Sequence, residues 1–149
     1  MSAATIGFFI LALTAGALIP IQASSNALLT QTTGHIFYTA LILFSVGLIM
    51  VLALTVFFRP EIPPLSDLLM APAKSYIGGF IVAAYVLTIT FLVPKIGVGN
   101  AVLFIVSGQI ISAALIDHFA LLGSPLFSLS PKRVIGLALM VIGLALAKS

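Results

Sequence analysis

Cysteine and tryptophan are both missing from this chain, and charge is scarce: six Lys and Arg and three Asp and Glu are spread over 149 residues. The lack of cysteine excludes disulfides and thiolate chemistry. Charged residues make up 6% against roughly 25% in soluble domains, and hydrophobic residues 62% against roughly 45–50%. A water-exposed surface cannot be built from that composition. The net charge of +3 is scattered over loops and forms no basic run, which leaves nucleic-acid binding without support. Histidine is limited to His35 and His118, far apart in sequence and without a carboxylate or second histidine at ligand spacing. Asp117 and His118 are adjacent, so on a helix they point about 100° apart and cannot grip one ion from a single face. No metal, cofactor or catalytic nucleophile is expected, and a chain of this length has no room for a catalytic module outside the apolar blocks.

What the chain does have is five apolar blocks, which predict an all-α membrane protein with five transmembrane helices in a single domain over residues 1–149. The spans are expected at about 4–29, 36–58, 76–93, 98–117 and 133–147. No β-type alternation persists, and the blocks are longer than barrel strands of ~10 residues. The turns are expected at residues 30–34, 94–97 and 119–130. Residues 59–73 carry Pro60, Pro63, Pro64 and Pro72 with Glu61 and Asp67, and Leu65, Leu68, Leu69 and Met70 sit between them. That pattern suggests a short interfacial helix. Span one is read as a membrane span and not as a cleaved signal peptide, because residues 1–5 carry no Lys or Arg and four more spans follow.

Five is an odd number, so two copies joined end to end would face opposite ways across the bilayer, the arrangement of inverted-repeat transporters. The chain therefore reads as half of a ten-helix assembly. Arg59, Lys74, Lys132 and Arg133 share the N-terminal side against Lys95 and Lys148 on the other, which places the N-terminus in the cytoplasm by the positive-inside rule. The margin is small enough to be compatible with an antiparallel dimer. Small residues mark helix-packing faces: Gly136, Met140, Gly143 and Ala147 in span five, Gly108 and Ser112 in span four, and Gly78 with Gly79 at the start of span three. They serve packing within one subunit or a subunit interface.

Polar residues inside spans cost several kcal/mol in lipid unless paired or hydrated, so they carry the functional information. In span one Pro20 frees a backbone carbonyl near Gly16, and Gln22 and Asn26 share a helical face one turn apart. These amides either meet a solute or bond to neighbouring helices. In span four Ser107, Gly108 and Gln109 lie near the bilayer midplane, where binding sites of such transporters fall, and Gln109 is the leading candidate for substrate contact. Tyr85, mid-span in helix three, offers a π-face to a cationic solute. Asp117 is the one acid attached to a span; with His118 it is the candidate for ion coupling, or it is a helix-end carboxylate paired with Lys132 or Arg133.

These residues carry a resemblance. G-A-L-I-P-I-Q-A-S-S-N at 16–26, Y-I-G-G-F from Tyr76, P-K-I-G-V-G-N-A from Pro94, S-G-Q-I from Ser107, D-H-F from Asp117 and R-V-I-G-L-A-L-M-V-I-G from Arg133 are similar to the YdcZ-type family. That family belongs to the drug/metabolite transporter superfamily of bacterial inner-membrane proteins. The resemblance covers nearly the whole chain and implies a five-helix unit, found in the family as single chains, as paired chains of opposite orientation, or as ten-helix fusions. Pro20, Gln22, Asn26, Gly108, Gln109, Asp117 and His118 match its motif by position. The related four-helix small multidrug-resistance proteins resemble span one but carry a glutamate there, where this chain has none; their proton-for-cation exchange cannot be carried over.

The expected function is a multi-pass secondary transporter of the bacterial inner membrane. It would move a small metabolite or organic cation by alternating access, as a dimer with a second copy or a paired homologous subunit. Gln22, Asn26, Tyr85, Ser107 and Gln109 would meet the solute. The alternative is a non-transporting membrane subunit that assembles with or stabilises a partner membrane protein.

Overall fold

Lipid offers the backbone no hydrogen-bond partner, so long uncharged apolar runs must satisfy their own N–H and C=O groups as helices. The computed structural model describes residues 2–147 and contains six α-helices, two 3-10 turns and, among the described residues, no strand. The chain forms two compact units, Met1–Lys95 and Ile96–Ser149.

In the first unit α1 (Ala3–Thr33) begins at Ser2, whose hydroxyl accepts the Thr5 N–H, and continues through Pro20. It runs four residues past its expected end because the polar residues there are bonded as helix: Thr30 Oγ1 donates to the Asn26 carbonyl at 2.9 Å. The turn expected over 30–34 shrinks to two residues. Gly34 takes the left-handed conformation (φ 74°), open to glycine at no cost, and donates its N–H to the Thr30 carbonyl. His35 then caps α2 (Ile36–Phe58), its Nδ1 accepting the Phe37 N–H. The two helices pack as a hairpin with a hydroxyl cluster inside it. Thr39, 0% exposed, is 2.9 Å from both Thr30 Oγ1 and Thr33 Oγ1. At its other end α2 stops at Arg59, left-handed at φ 47° and followed by Pro60.

The proline-rich segment forms α3 (Leu65–Met70), which has no buried residue and leaves Leu65, Leu69 and Met70 exposed. The Tyr76 hydroxyl donates to the Leu68 carbonyl and ties α3 to the 3-10 turn Ala73–Tyr76. From there α4 (Ile77–Ile96) passes through Pro94, where a turn was expected. A proline this close to a helix end removes one bond, to the Thr90 carbonyl, and leaves the rest of the ladder in place. Tyr85, Val86, Ile89 and Thr90 lie along one side of α4; Val86, Ile89 and Thr90 are buried and Tyr85 is half-buried.

The second unit begins at Ile96, and Gly97, with a φ of 80°, makes the turn into the next helix alone. Helix α5 (Val98–His118) buries Ala101, Ser107 and Ala114. After the 3-10 turn Leu121–Gly123, Ser130 Oγ accepts the Arg133 N–H and Pro131 takes the first position of α6 (Pro131–Ala147), a start favoured because proline lacks the N–H that would be left over there. Helices α5 and α6 pack together, and the half-buried residues of α6 recur at Arg133, Leu137, Met140 and Leu144.

Among the described residues, four segments are long and apolar enough to cross a membrane: α1, α2, Ala73–Ile96 and α5. Helix α6 forms where the fifth span was expected, over the described residues Pro131–Ala147. Lys148, counted above in the charge balance, lies outside the described residues.

Candidate functional site: polar groups at membrane depth

Five hydroxyls on the spanning helices satisfy themselves within their own helix. Thr14, Thr30, Ser45, Thr55 and Ser107 each donate to the carbonyl four residues earlier, at 2.8–3.0 Å. This is the local bond that serine and threonine offer in place of an external partner. Ser107, expected to meet solute and 8% exposed, thus spends its proton on Leu103.

Three buried polar atoms break that pattern. Asn26 Nδ2, Tyr85 Oη and Thr90 Oγ1 have no hydrogen-bond partner among the described residues, and all three belong to the unit Met1–Lys95. Leaving such a group unmade costs about 1–3 kcal/mol, and few natural interiors tolerate it without a reason. On α1 the sequence placed Gln22 and Asn26 on one face, and they differ in environment. Gln22 is exposed, whereas Asn26 is 6% exposed beside the buried Ala23. Pro20, half-buried one turn before, supplies no N–H to the Gly16 carbonyl. Tyr85 was expected to present its ring; what the structure leaves unanswered is its hydroxyl.

Thr90 escaped the sequence reading altogether. It is 1% exposed, and it is followed four residues later by Pro94, so its own carbonyl has no i+4 donor either. The Thr-x-x-x-Pro spacing was the available signal, the same logic that marked Gly16 and Pro20.

At the far end of α5 both Asp117 and His118 have hydrogen-bond partners. Asp117 Oδ2 pairs with Arg133 Nη2 at 2.8 Å, and Oδ1 accepts the Ser124 hydroxyl at 3.2 Å. The Asp117 carbonyl accepts the Phe127 N–H at 3.0 Å, and His118 Nδ1 accepts the Leu129 N–H at 3.1 Å. Of the two cations expected beside Asp117, Arg133 makes the pair. Both candidate coupling residues therefore hold the connection between α5 and α6, which contains two non-glycine residues at positive φ, Ala120 and Leu122.

The remaining candidates in the second unit face outward. Gln109, Gly108, Ser112, Gly136 and Gly143 are exposed, and a Cβ added at Gly108, Gly136 or Gly143 would meet nothing within 4 Å. An open groove of about 320 Å³ lies at the start of α5, lined by Gly97, Gly99, Asn100 and Leu103 with Ile96 and Ala147. Asn100 Nδ2 donates there to the Ile96 carbonyl at 2.9 Å. The groove includes none of the residues expected to meet solute.

The chemistry available is hydrogen bonding by uncharged groups in α1 and α4, with ionisable groups confined to span ends and loops. Across residues 7–146 the chain matches the model of a family described as "Putative inner membrane exporter, YdcZ". No curated protein and no solved structure matches it.

Proposed function

This chain belongs to the YdcZ family of the drug/metabolite transporter superfamily, and we propose that it is a secondary carrier of the bacterial inner membrane that exports a small solute by alternating access. The observation that carries the proposal is Asn26, a carboxamide within a spanning helix, 6% exposed, whose amide nitrogen has no partner among the described residues. A polar group retained inside a span without a partner marks a solute path.

The working unit is a dimer of five-helix subunits in opposite orientation, ten helices in all, with a second copy or a homologous subunit as partner. The open space around Gly136 and Gly143 on α6 and around Gly108 on α5 supports it, since small residues in a span serve close helix approach and a Cβ at these positions would meet no described residue within 4 Å. Helix α6 crosses as the fifth span. Each subunit contributes Gln22 and Asn26 from α1, Tyr85 from α4 and Gln109 from α5 to solute contact, with Ser107 at the backbone of the same turn as Gln109. Asp117 and His118 hold the α5–α6 connection; coupling through Asp117 would require opening its pair with Arg133.

Reconstituted full-length protein tests this reading. Currents evoked by tetramethylammonium, glycine or phosphate on a solid-supported membrane, or light-scattering changes with a neutral solute, are expected, and Gln109→Ala lowers the rate about tenfold, the effect of losing one good hydrogen bond. A chain that moves none of these, and in which cysteines scanned along α1 react nowhere with a water-soluble thiol reagent, is a non-transporting membrane subunit instead.

A further inference from the structure

The carrier reading leaves the solute's chemistry open, and the three unanswered polar atoms narrow it. We propose that Asn26, Tyr85 and Thr90 are the contacts by which the carrier recognises an uncharged solute bearing hydroxyl or carbonyl oxygens, and that Thr90 is a specificity-determining residue; this rests on the transporter reading above.

The uncharged character follows from what surrounds these groups in sequence. Neither α1 nor α2 contains an Asp, Glu, Lys or Arg, and none occurs in residues 77–94 of α4. An ion brought beside Asn26 or Thr90 would give up its hydration and meet no countercharge from these helices, which is the costly case for burial. A polyol or simple amide gives up only hydrogen bonds, and these groups return them.

The donor and acceptor balance points the same way. The Asn26 amide nitrogen donates twice and accepts nothing, and the Tyr85 and Thr90 hydroxyls each donate once and also accept. Thr90 adds a backbone carbonyl that Pro94 has deprived of its usual donor. A solute hydroxyl can donate to that carbonyl and accept from the threonine in one encounter. A bare anion would be repelled by the carbonyl.

The conformation of Thr90 carries the argument furthest. Its helix offers it the Val86 carbonyl, the same i−4 acceptor that Thr14, Thr30, Ser45, Thr55 and Ser107 use. Thr90 is more deeply buried than any of them and does not take it. Its hydroxyl is buried and held without a partner among the described residues, as a group that waits for an external acceptor would be.

The test uses the cysteine-free full chain in liposomes, with Asn26→Cys and Thr90→Cys probed by a water-soluble maleimide in the presence of xylitol, N-methylacetamide or tetramethylammonium. The expected result is that both cysteines react and that xylitol or N-methylacetamide slows the reaction while tetramethylammonium does not. Slowing by tetramethylammonium alone, or by none of the three, overturns the uncharged solute and leaves the carrier standing. Failure of both cysteines to react overturns the site, and failure along all of α1 removes the carrier reading as well. Thr90→Val and Thr90→Ser separate recognition from packing. Val is expected to lower flux of the protecting solute about fivefold to tenfold and to raise the unfolding temperature, since it removes an orphaned hydroxyl, while Ser keeps the flux. A lower unfolding temperature in Thr90→Val would show that the hydroxyl serves a helix contact, and would overturn its role in recognition.

Discussion

The corner that joins α5 to α6 and the interior of α1 and α4 treat polar groups in opposite ways. At the corner Asp117 is bonded through both carboxylate oxygens and its carbonyl, His118 through Nδ1, and Ser130 to the first turn of α6. In α1 and α4 the neutral side chains of Asn26, Tyr85 and Thr90 are left with buried atoms that no described residue answers. Charge in this molecule does structural work at a span end, where water screens it and a partner is at hand. Unsatisfied hydrogen-bonding capacity sits in uncharged groups at depth, where no stability argument explains it. A chain with so few ionisable residues thus separates the groups that hold the fold from the groups proposed to meet the solute.

That separation can be broken from either side. The largest effect on stability is expected for Asp117→Ala, which removes the 2.8 Å ion pair and the Ser124 bond together; the unfolding temperature followed by helical circular dichroism in detergent falls by several degrees. Exchanging the charges, Asp117→Arg with Arg133→Asp, recovers part of that loss, and no recovery would mean that the pair contributes little. A smaller effect is expected inside the first unit at Thr39, the answered hydroxyl of the α1–α2 hairpin. Thr39→Val forfeits its bonds to Thr30 and Thr33 and costs about 1–2 kcal/mol of stability. If Thr39→Val instead left stability unchanged, bonded and unbonded hydroxyls in this unit would be energetically alike, and the contrast with Thr90 would lose its meaning.

Much of the scaffold is legible in the residues. The apolar run of α2 has the expected bounds, 36–58, and α5 runs one residue past its expected end, because in both the apolar block and the helix end together. The ends of α1 and α4 were misjudged for one reason: threonine and proline read as turn formers in water. In lipid Thr30 and Thr33 bond within the hairpin, and Pro94 costs α4 a single bond. The Asp117–Arg133 pair was visible as one of two alternatives, since only the path of the intervening loop chooses between Lys132 and Arg133. Small-residue spacing identified Gly136 and Gly143, but spacing does not say whether a face packs inside the chain, and the structure leaves space around both. Thr90 had only its spacing to Pro94 to mark it, because an orphaned hydroxyl is known only once the partners of every neighbouring group are known.

Side-by-side flux of Asn26→Ala and Asp117→Asn in proteoliposomes, with equal amounts of folded protein, tests the account most directly. The prediction is that Asn26→Ala slows transport about tenfold or more, while Asp117→Asn, less resistant to heat, keeps most of the wild-type rate. Loss of transport in Asp117→Asn with Asn26→Ala unaffected would contradict it, and would move the working chemistry from the uncharged interior of α1 to the acid at the end of α5.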